Sequence, residues 1–202
     1  MLILKNVVKF YQDNLVIEQL SYHFDKQRYC IVGPNGSGKT TLLMLAGGLE
    51  SVTAGEVYYN HQAVELKETK RQLGISSDKI ILPEFLTSQQ LITFHCTQHD
   101  CNFPHPLITS LNFTQQLTTQ VAALSLGSLK KLSLIIALAH QPNCLLLDEP
   151  TTGLDQQSRI WLLDYIDRYP GQIIITSHEA CFTENEHFQQ VLLAELQQAN
   201  VA

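Results

Sequence analysis

The sequence predicts an α/β fold with a mostly parallel core sheet, antiparallel strands near the amino terminus and a small inserted helical subdomain. Apolar runs of strand length alternate along the chain with segments of helical periodicity, and this alternation is typical of a parallel sheet with helices on its faces. The chain has 202 residues, of which 45% are hydrophobic. This length is enough for one substantial core, so we expect residues 1–202 to form a single domain.

The individual elements follow from local pattern. Five apolar runs have the length and composition of strands, at residues 2–8, 20–24, 29–32, 144–147 and 173–176. Three segments repeat apolar residues at helical spacing, at residues 40–46, 132–139 and 162–169. A glycine or a proline follows each of these segments, which is the composition that ends a helix.

One long segment interrupts the alternation. Between residues 85 and 129 the only formally charged side chain is Asp100, and Gln, Thr, Ser and Asn are frequent among the apolar residues. We expect an inserted helical subdomain at about residues 83–124. The low charge has two explanations that the sequence leaves open: compositional drift on an ordinary surface, or a docking face that loses water when a partner binds.

Charge and cysteine content exclude several classes of protein. A formal net charge of −6 and a sequence pI near 5.7 leave no overall basic footprint, so we expect no nucleic-acid partner. Five scattered cysteines are typical of free thiols in a reducing compartment. No run approaches the roughly 18 apolar residues of a membrane span, and no secretory signal stands at the start, so we expect a cytosolic protein.

The strongest motif is GPNGSGKT at residues 33–40, between a predicted strand and a predicted helix. Glycines in this pattern let main-chain NH groups converge on phosphate oxygens, and the helix amino terminus adds favourable partial charge. We expect Lys39 to reach the β- and γ-phosphates of a nucleoside triphosphate and the Thr40 hydroxyl to bind Mg²⁺. The candidate nucleotide-binding residues here are Gly33, Pro34, Asn35, Gly36, Ser37, Gly38, Lys39, Thr40 and Thr41.

The second motif is CLLLDEP at residues 144–150. Its apolar strand delivers Asp148 and Glu149 to the carboxyl edge of the sheet, where ligands of open α/β sheets bind. We expect Asp148 to hold Mg²⁺ and Glu149 to act as the catalytic base that polarises the water attacking the γ-phosphate. A strand-end carboxylate can also be merely solvated, but a neighbouring phosphate-binding loop favours the catalytic interpretation.

Five motifs occur in the order GPNGSGKTT, LSLGS, LLLDEP, TTGLD and TSH. Together they resemble, over almost the whole chain, the nucleotide-binding domain of ABC ATPases, which are P-loop NTPases. The resemblance implies that the cofactors are ATP and Mg²⁺ and that a second ATPase subunit packs head to tail. It implies that Ser125 and Gly127, in the signature loop LSLGS, contact the γ-phosphate held by the other subunit.

Other family positions carry over residue by residue. The resemblance implies that Tyr11 stacks on adenine and that His178 contacts the γ-phosphate as a catalytic residue beside Glu149 and Lys39. It implies that Asp155 lies in a loop linking the two nucleotide sites of the dimer.

The signature loop departs from the usual pattern. Leu126 stands where the family has the first of two glycines, and Ser128 stands where it has glutamine. LSLG-type loops are similar to those of bacterial export ATPases, which favours a working loop. A decayed loop is the alternative, and it holds if position 126 requires a positive φ.

A family glutamine is missing. It normally follows the strand that leads into the helical subdomain, where it senses Mg²⁺ and couples to the transport partner. Here that place holds Ser76, Ser77 and Asp78, and the next glutamine is Gln89. Asp78 could bind the metal instead, because a carboxylate is a suitable hard ligand.

The segment FHCTQHDCNFPH concentrates histidine and cysteine, with His95 and His99 on one predicted helix face. Its spacing matches no familiar paired zinc pattern, so we expect ordinary core and surface residues there.

The sequence therefore predicts an ATPase that acts as a head-to-tail dimer and drives a separate transmembrane permease subunit, with outward transport favoured. Its expected location is the cytoplasmic face of the inner membrane. Two alternatives stay open: a soluble ABC ATPase that remodels a protein or nucleic-acid complex, and a catalytically weak regulatory subunit.

Overall fold

The computed structural model describes residues 1–198, which form two sheets and their covering helices. The strands are β1 (Leu2–Tyr11), β2 (Asn14–Phe24), β3 (Arg28–Val32), β4 (Ala54–Tyr59), β5 (Gln62–Ala63), β6 (Leu73–Ser76), β7 (Cys144–Asp148), β8 (Gln172–Thr176) and β9 (Gln189–Leu192). The α-helices are α1 (Lys39–Ala46), α2 (Lys67–Lys70), α3 (Ser88–His99), α4 (His105–Ser110), α5 (Leu126–Ala139), α6 (Gln156–Arg168), α7 (Ala180–Thr183) and α8 (Leu193–Gln198). In the part of the chain that is described, no helix has the length and apolar character that a bilayer crossing needs.

The five-stranded core sheet is parallel throughout, in the order β6-β7-β8-β3-β9. Every residue of β7 is buried, and β8 is buried apart from its first residue. A strand covered on both faces needs apolar side chains at successive positions, which accounts for the unbroken leucine and isoleucine runs in the sequence. The predicted mostly parallel core is thereby confirmed.

The predicted antiparallel strands form a separate four-stranded sheet in the order β2-β1-β4-β5. Leu4 and Val7 of β1 are both fully buried, although an odd number of steps separates them. The register between β1 and β2 is irregular between these two residues, and Asn6 has a φ of 47°. Such an irregularity returns side chains to the same face of the sheet, so both residues reach the core.

The predicted insertion at residues 83–124 contains α3, α4 and two 3-10 turns, at Thr114–Gln116 and Val121–Ala123. A capping box begins α3: the Thr87 side chain accepts a hydrogen bond from the Gln90 amide, and the Gln90 side chain accepts one from the Thr87 amide. The apolar residues of this segment pack with α5 and α6 in one hydrophobic cluster on one side of the parallel sheet.

A single arginine fixes the orientation of α6 against the core sheet. Arg28, at the start of β3, donates from Nη2 to the carbonyl oxygens of Ile166, Asp167 and Tyr169, at 3.1, 2.7 and 3.0 Å. A cation at the carboxyl end of a helix satisfies free carbonyl groups and complements the helix dipole. The carboxyl end of β3 and the amino end of α6 therefore lie together at the other edge of the sheet, where the candidate site is found.

Candidate nucleotide-binding and catalytic site

The carboxyl ends of neighbouring parallel strands meet at one edge of the core sheet. A cavity of about 350 Å³ lies at this edge, between the glycine-rich loop after β3 and the polar end of β7. Its lining residues are Tyr11, Val16, Asn35, Gly36, Gly38, Lys39, Thr40, Thr41, Lys79, Asp148 and Glu149. The structure thus brings together residues predicted from two distant motifs, while Lys79 was not anticipated.

The loop between β3 and α1 requires glycine at two positions. Gly36 and Gly38 have φ values of 80° and 101°, a region that other L-residues rarely adopt. A Cβ atom at Gly38 would also lie 2.9 Å from Val16 Cγ1. Gly38 is the N-cap of α1, so the loop ends where free amide groups of the first helical turn can meet an anion.

Two side chains of this loop have unused hydrogen-bonding capacity. Lys39 is buried, and its Nζ donates to the carbonyl oxygens of Gly33 at 2.6 Å and Pro34 at 3.0 Å. An ammonium group has three protons, so one remains for a phosphate oxygen. Ser37 Oγ is buried without a hydrogen-bond partner, which also fits a loop built to receive a polar ligand.

Asp148, at the end of β7, is held from both sides. Thr176 Oγ1, at the end of β8, donates to Asp148 Oδ1 at 2.5 Å, and Ser77 Oγ, just after β6, donates to Oδ2 at 2.8 Å. Lys130 Nζ donates to the Asp148 carbonyl oxygen at 2.7 Å. A carboxylate has about four lone-pair sites, so Asp148 retains acceptors for a metal ion or its water.

Glu149 follows directly, on a backbone in the left-handed region with a φ of 42°. Its amide donates to the Thr176 carbonyl oxygen at 3.0 Å, and Ser177 Oγ donates to its Oε2 at 3.3 Å. His178 Nε2 lies 3.8 Å from Glu149 Oε1. Two side chains for which separate motifs predicted catalytic roles therefore lie next to each other, and Glu149 lines the cavity.

Tyr11 lines the cavity on the side of the antiparallel sheet and is 38% exposed. Its hydroxyl donates to the Glu50 carboxylate, and Lys9 Nζ lies 4.8 Å from the centre of its ring. Burial is the main cause that raises the pKa of Tyr11. The ring is partly exposed in the cavity wall, and its stacking on a base stays a prediction.

The backbone of the signature loop shows whether position 126 requires a positive φ. Leu126 is the first residue of α5, it is 86% exposed, and it is not among the non-glycine residues with positive φ. The backbone reason for regarding the loop as decayed is therefore absent at this position. Glycine is required one residue later, since a Cβ atom at Gly127 would lie 2.7 Å from the Gly153 carbonyl oxygen.

Ser125 is the N-cap of α5, and its side chain accepts a hydrogen bond from the Ser128 amide at 3.2 Å. Neither Ser125 nor Gly127 lines the cavity of its own chain. The predicted phosphate-contacting loop and the phosphate-binding loop are thus separate surfaces of one subunit.

Asp155 connects the two helices α5 and α6. It is the N-cap of α6, where its Oδ1 accepts from the Ser158 amide at 2.9 Å, and it forms an ion pair with Lys131 of α5. The hydrogen bond from Lys131 is the largest cause that lowers the pKa of Asp155, to about 2. The carboxylate is therefore charged at neutral pH and holds the loop before α6 against α5.

Asp78 lies away from the cavity lining. Its side chain is 75% exposed and pairs with Lys130 Nζ at 3.1 Å, whereas its neighbour Ser77 binds the Asp148 carboxylate. The role of Asp78 as a metal ligand stays a prediction. Besides Lys79, sequence reasoning missed the contacts that Ser77, Thr176 and Lys130 make with Asp148. A polar residue at the end of each neighbouring strand was the available signal for Ser77 and Thr176.

Comparison with known proteins points to the same family as the sequence motifs. Residues 18–152 match the family model described as ABC transporter. The chain is 32% identical over 164 residues to the Nod factor export ATP-binding protein I of Burkholderia thailandensis, covering 77% of this chain and 54% of that protein. It is 31% identical over 181 residues to a spermidine/putrescine import ATP-binding protein of Thermotoga maritima, covering 86% and 49% respectively. The chain thus spans about half the length of these two curated relatives.

A solved structure shares the fold. A dimeric ATP-binding cassette in a post-hydrolysis state, bound to ADP and phosphate, superposes with a TM-score of 0.81 at 20% identity. The superposition covers 95% of this chain and 94% of that one. The predicted P-loop NTPase architecture, with its mixture of parallel and antiparallel sheets, is confirmed.

Gly127→Ala should lower the free energy of unfolding by about 1–3 kcal/mol, because the new methyl group would overlap the Gly153 carbonyl oxygen and force the two loops apart. Leu126→Ala is the matched control, and its expected change is within about 0.5 kcal/mol because the side chain is exposed. Urea unfolding followed by circular dichroism measures both. A greater loss for Leu126→Ala would contradict the assigned roles of the two positions.

Asp155→Asn should remove the ion pair with Lys131 while keeping an acceptor at the N-cap of α6. The folded state lowers the pKa of Asp155 from 3.8 to about 2, so its charge stabilises the fold above the unfolded pKa, and this contribution disappears as pH falls toward 2. The difference in urea midpoint between wild type and variant should be constant from neutral pH down to about pH 5 and shrink below about pH 4. A difference that does not depend on pH would rule out the ion pair as its cause.

Proposed function

The chain belongs to the ABC transporter family and carries its ATPase domain, and from this premise we propose that it hydrolyses ATP to drive a separate transmembrane subunit. One observation carries the ATP-hydrolysis part of this proposal: a glycine-rich phosphate-binding loop, a buried aspartate and a strand-end glutamate meet around one cavity. Positioning and charge neutralisation supply most of the catalysis in phosphoryl transfer, and this site offers both.

The loop residues would bind the triphosphate. Amide groups at the start of α1 and the free proton of Lys39 Nζ would bind the β- and γ-phosphates. Thr40 and Asp148 would hold Mg²⁺, whose charge supports transfer of the γ-phosphoryl group when bound. Tyr11 would stack on the base at the other end of the cavity.

Glu149 would act on the attacking water. Ser177 binds one oxygen of its carboxylate at 3.3 Å, so the other oxygen, on the side of His178, can accept a hydrogen bond from water. His178, whose side chain is 49% exposed beside Glu149, would contact a γ-phosphate oxygen. These two residues would polarise the water and orient the γ-phosphate.

A second subunit would complete the site. Ser125 and Gly127 lie outside the cavity of their own chain, and the exposed start of α5 presents amide groups suited to an anion. Head-to-tail packing of two ATPase subunits would bring this loop onto the γ-phosphate of the partner. The ion pair between Asp155 and Lys131 would then connect the signature loop, at the start of α5, to the loop before α6, which would lie between the two nucleotide sites.

We propose outward transport, with the chain bound to the permease at the cytoplasmic face of the membrane. The LSLGS loop and the 32% identity to a Nod factor export protein favour export. The 31% identity to a spermidine/putrescine import protein is nearly equal. The proposal of outward transport therefore rests on the LSLGS loop more than on overall identity.

Glu149→Gln should reduce the rate of ATP turnover by at least about 100-fold, because the neutral amide cannot serve as a base. ATP affinity should stay within a few-fold of wild type, since Lys39 and the loop are unchanged. Phosphate release and binding of a fluorescent ATP analogue measure the two quantities. Wild-type turnover no faster than that of Glu149→Gln, with the natural partners present, would support the catalytically weak regulatory subunit instead.

The proposed association with a transmembrane subunit is tested by expressing tagged Glu149→Gln in the native host and solubilising the membranes gently. We expect a multi-spanning membrane protein to copurify in stoichiometric amount, and more firmly with ATP and Mg²⁺ present. Lys39→Ala is the control for the effect of ATP, because it removes the phosphate-contacting ammonium. Recovery with a soluble assembly and no membrane protein would refute transport and leave a remodelling ATPase.

A further inference from the structure

Three histidines from two helices meet outside the nucleotide site. His95 and His99 lie one turn apart on α3, and His140 is the C-cap of α5. One ring nitrogen from each lies within 4.8 Å of the others. The rings of His95 and His99 are stacked with centres 4.2 Å apart, and the His140 ring centre lies 3.9 Å from that of His99.

Hydrogen bonds determine which nitrogen of His140 carries a lone pair. His140 Nε2 lies 3.3 Å from the Leu73 carbonyl oxygen, and a carbonyl can only accept, so Nε2 carries the proton. The unprotonated Nδ1 then faces His95 Nε2 at 3.0 Å. A ring nitrogen that donates to a backbone carbonyl is the usual support of a metal-ligating histidine.

The third histidine has an unsatisfied nitrogen. His99 Nδ1 is buried and has no hydrogen-bond partner. A buried polar atom without a partner costs free energy, which an ion or another ligand in contact with it would recover. This observation is independent of the spacing of the three rings.

The surroundings keep the imidazoles uncharged. Burial lowers the pKa of His95 to about 3 and that of His140 to about 4. Burial, followed by the charge of Arg71, lowers the pKa of His99. Neutral imidazole is the form that binds metal ions. His140 Nδ1 accepts a hydrogen bond from His95 Nε2, so the His95 proton must move to its other ring nitrogen before Nε2 can bind an ion.

We propose that His95, His99 and His140 form a binding site for a divalent transition-metal ion, with Zn²⁺ as the first choice. Three imidazole ligands suit Zn²⁺ and leave a fourth position for water. Zn–N distances of about 2.0–2.1 Å place tetrahedral ligand atoms roughly 3.3 Å apart, a spacing that side-chain rotation can reach from the observed one.

The sequence could supply only part of this site. Two histidines at i and i+4 on one helix face are a known half of zinc sites, but the cysteines of the same segment suggested no complete pattern. The third ligand is distant in the chain and is brought in by the packing of α3 against the end of α5. The zinc proposal would replace the sequence-based expectation that His95 and His99 are ordinary core or surface residues.

Position gives the ion a structural role. It would join α3 of the inserted segment to the carboxyl end of α5, whose amino end carries the signature loop. Arg71 is close by, and it donates to the Gln98 carbonyl oxygen at 2.8 Å. Because this positive charge opposes a cation, we expect weaker binding than at a closed four-ligand zinc site.

The test is calorimetric titration of ZnCl₂ into the reduced chain, purified without a histidine tag. We expect one ion per chain, and a loss of affinity of at least about tenfold in His99→Gln and in His140→Gln. His23→Gln is the matched control, since His23 is exposed on β2, and its titration should equal that of wild type. Circular dichroism checks that each variant is folded.

Two measurements on the unmodified chain do not depend on any variant folding. Histidine ring resonances should show three perturbed side chains on adding Zn²⁺, and the spectrum of bound Co²⁺ should lack thiolate charge-transfer bands. Thiolate bands, unchanged affinity in folded His99→Gln, or no binding of Zn²⁺ by wild type would each overturn the proposal. None of these results depends on ATP turnover, so the zinc site and the proposed transport function are tested separately.

Discussion

A buried carboxylate must have hydrogen-bond donors on each side, and at Asp148 this requirement fixes the relative positions of three parallel strands. Thr176 at the end of β8 and Ser77 after β6 supply the donors, while Lys130 of α5 binds the Asp148 carbonyl oxygen. Loss of either donor would leave a charged group under-satisfied at a cost of about 1–3 kcal/mol or more. The carboxyl edge of the sheet is therefore assembled around the Asp148 side chain. The position of Glu149, the next residue in the chain, follows from this arrangement.

Local sequence patterns were sufficient to predict the parallel core and the phosphate-binding loop. Fully buried strands need unbroken apolar runs, and the loop needs glycines followed by lysine and threonine, so both leave a signal within a few residues. The roles of Ser77 and Thr176 could not be assigned in the same way. They depend on the lateral order of β6, β7 and β8, which is a property of the whole sheet.

Leu126 and His140 illustrate the same limit. The sequence marked Leu126 as unusual, but only the backbone shows that the glycine requirement falls on Gly127, through the nearby Gly153 carbonyl. His140 drew no attention in the sequence because it follows an ordinary amphipathic helix. It becomes notable only because α3 packs against that end of the helix and brings His95 and His99 to it.

The left-handed backbone at Glu149 sets stability against activity at a single residue. A non-glycine residue in this region costs about 1–2 kcal/mol, and glycine would relieve that cost. A more stable form of the protein therefore lies one substitution away, and that substitution would remove the carboxylate proposed to act on the attacking water. Selection for thermal stability alone would tend to remove Glu149, so the strained backbone at this position is consistent with its proposed role in the chemistry.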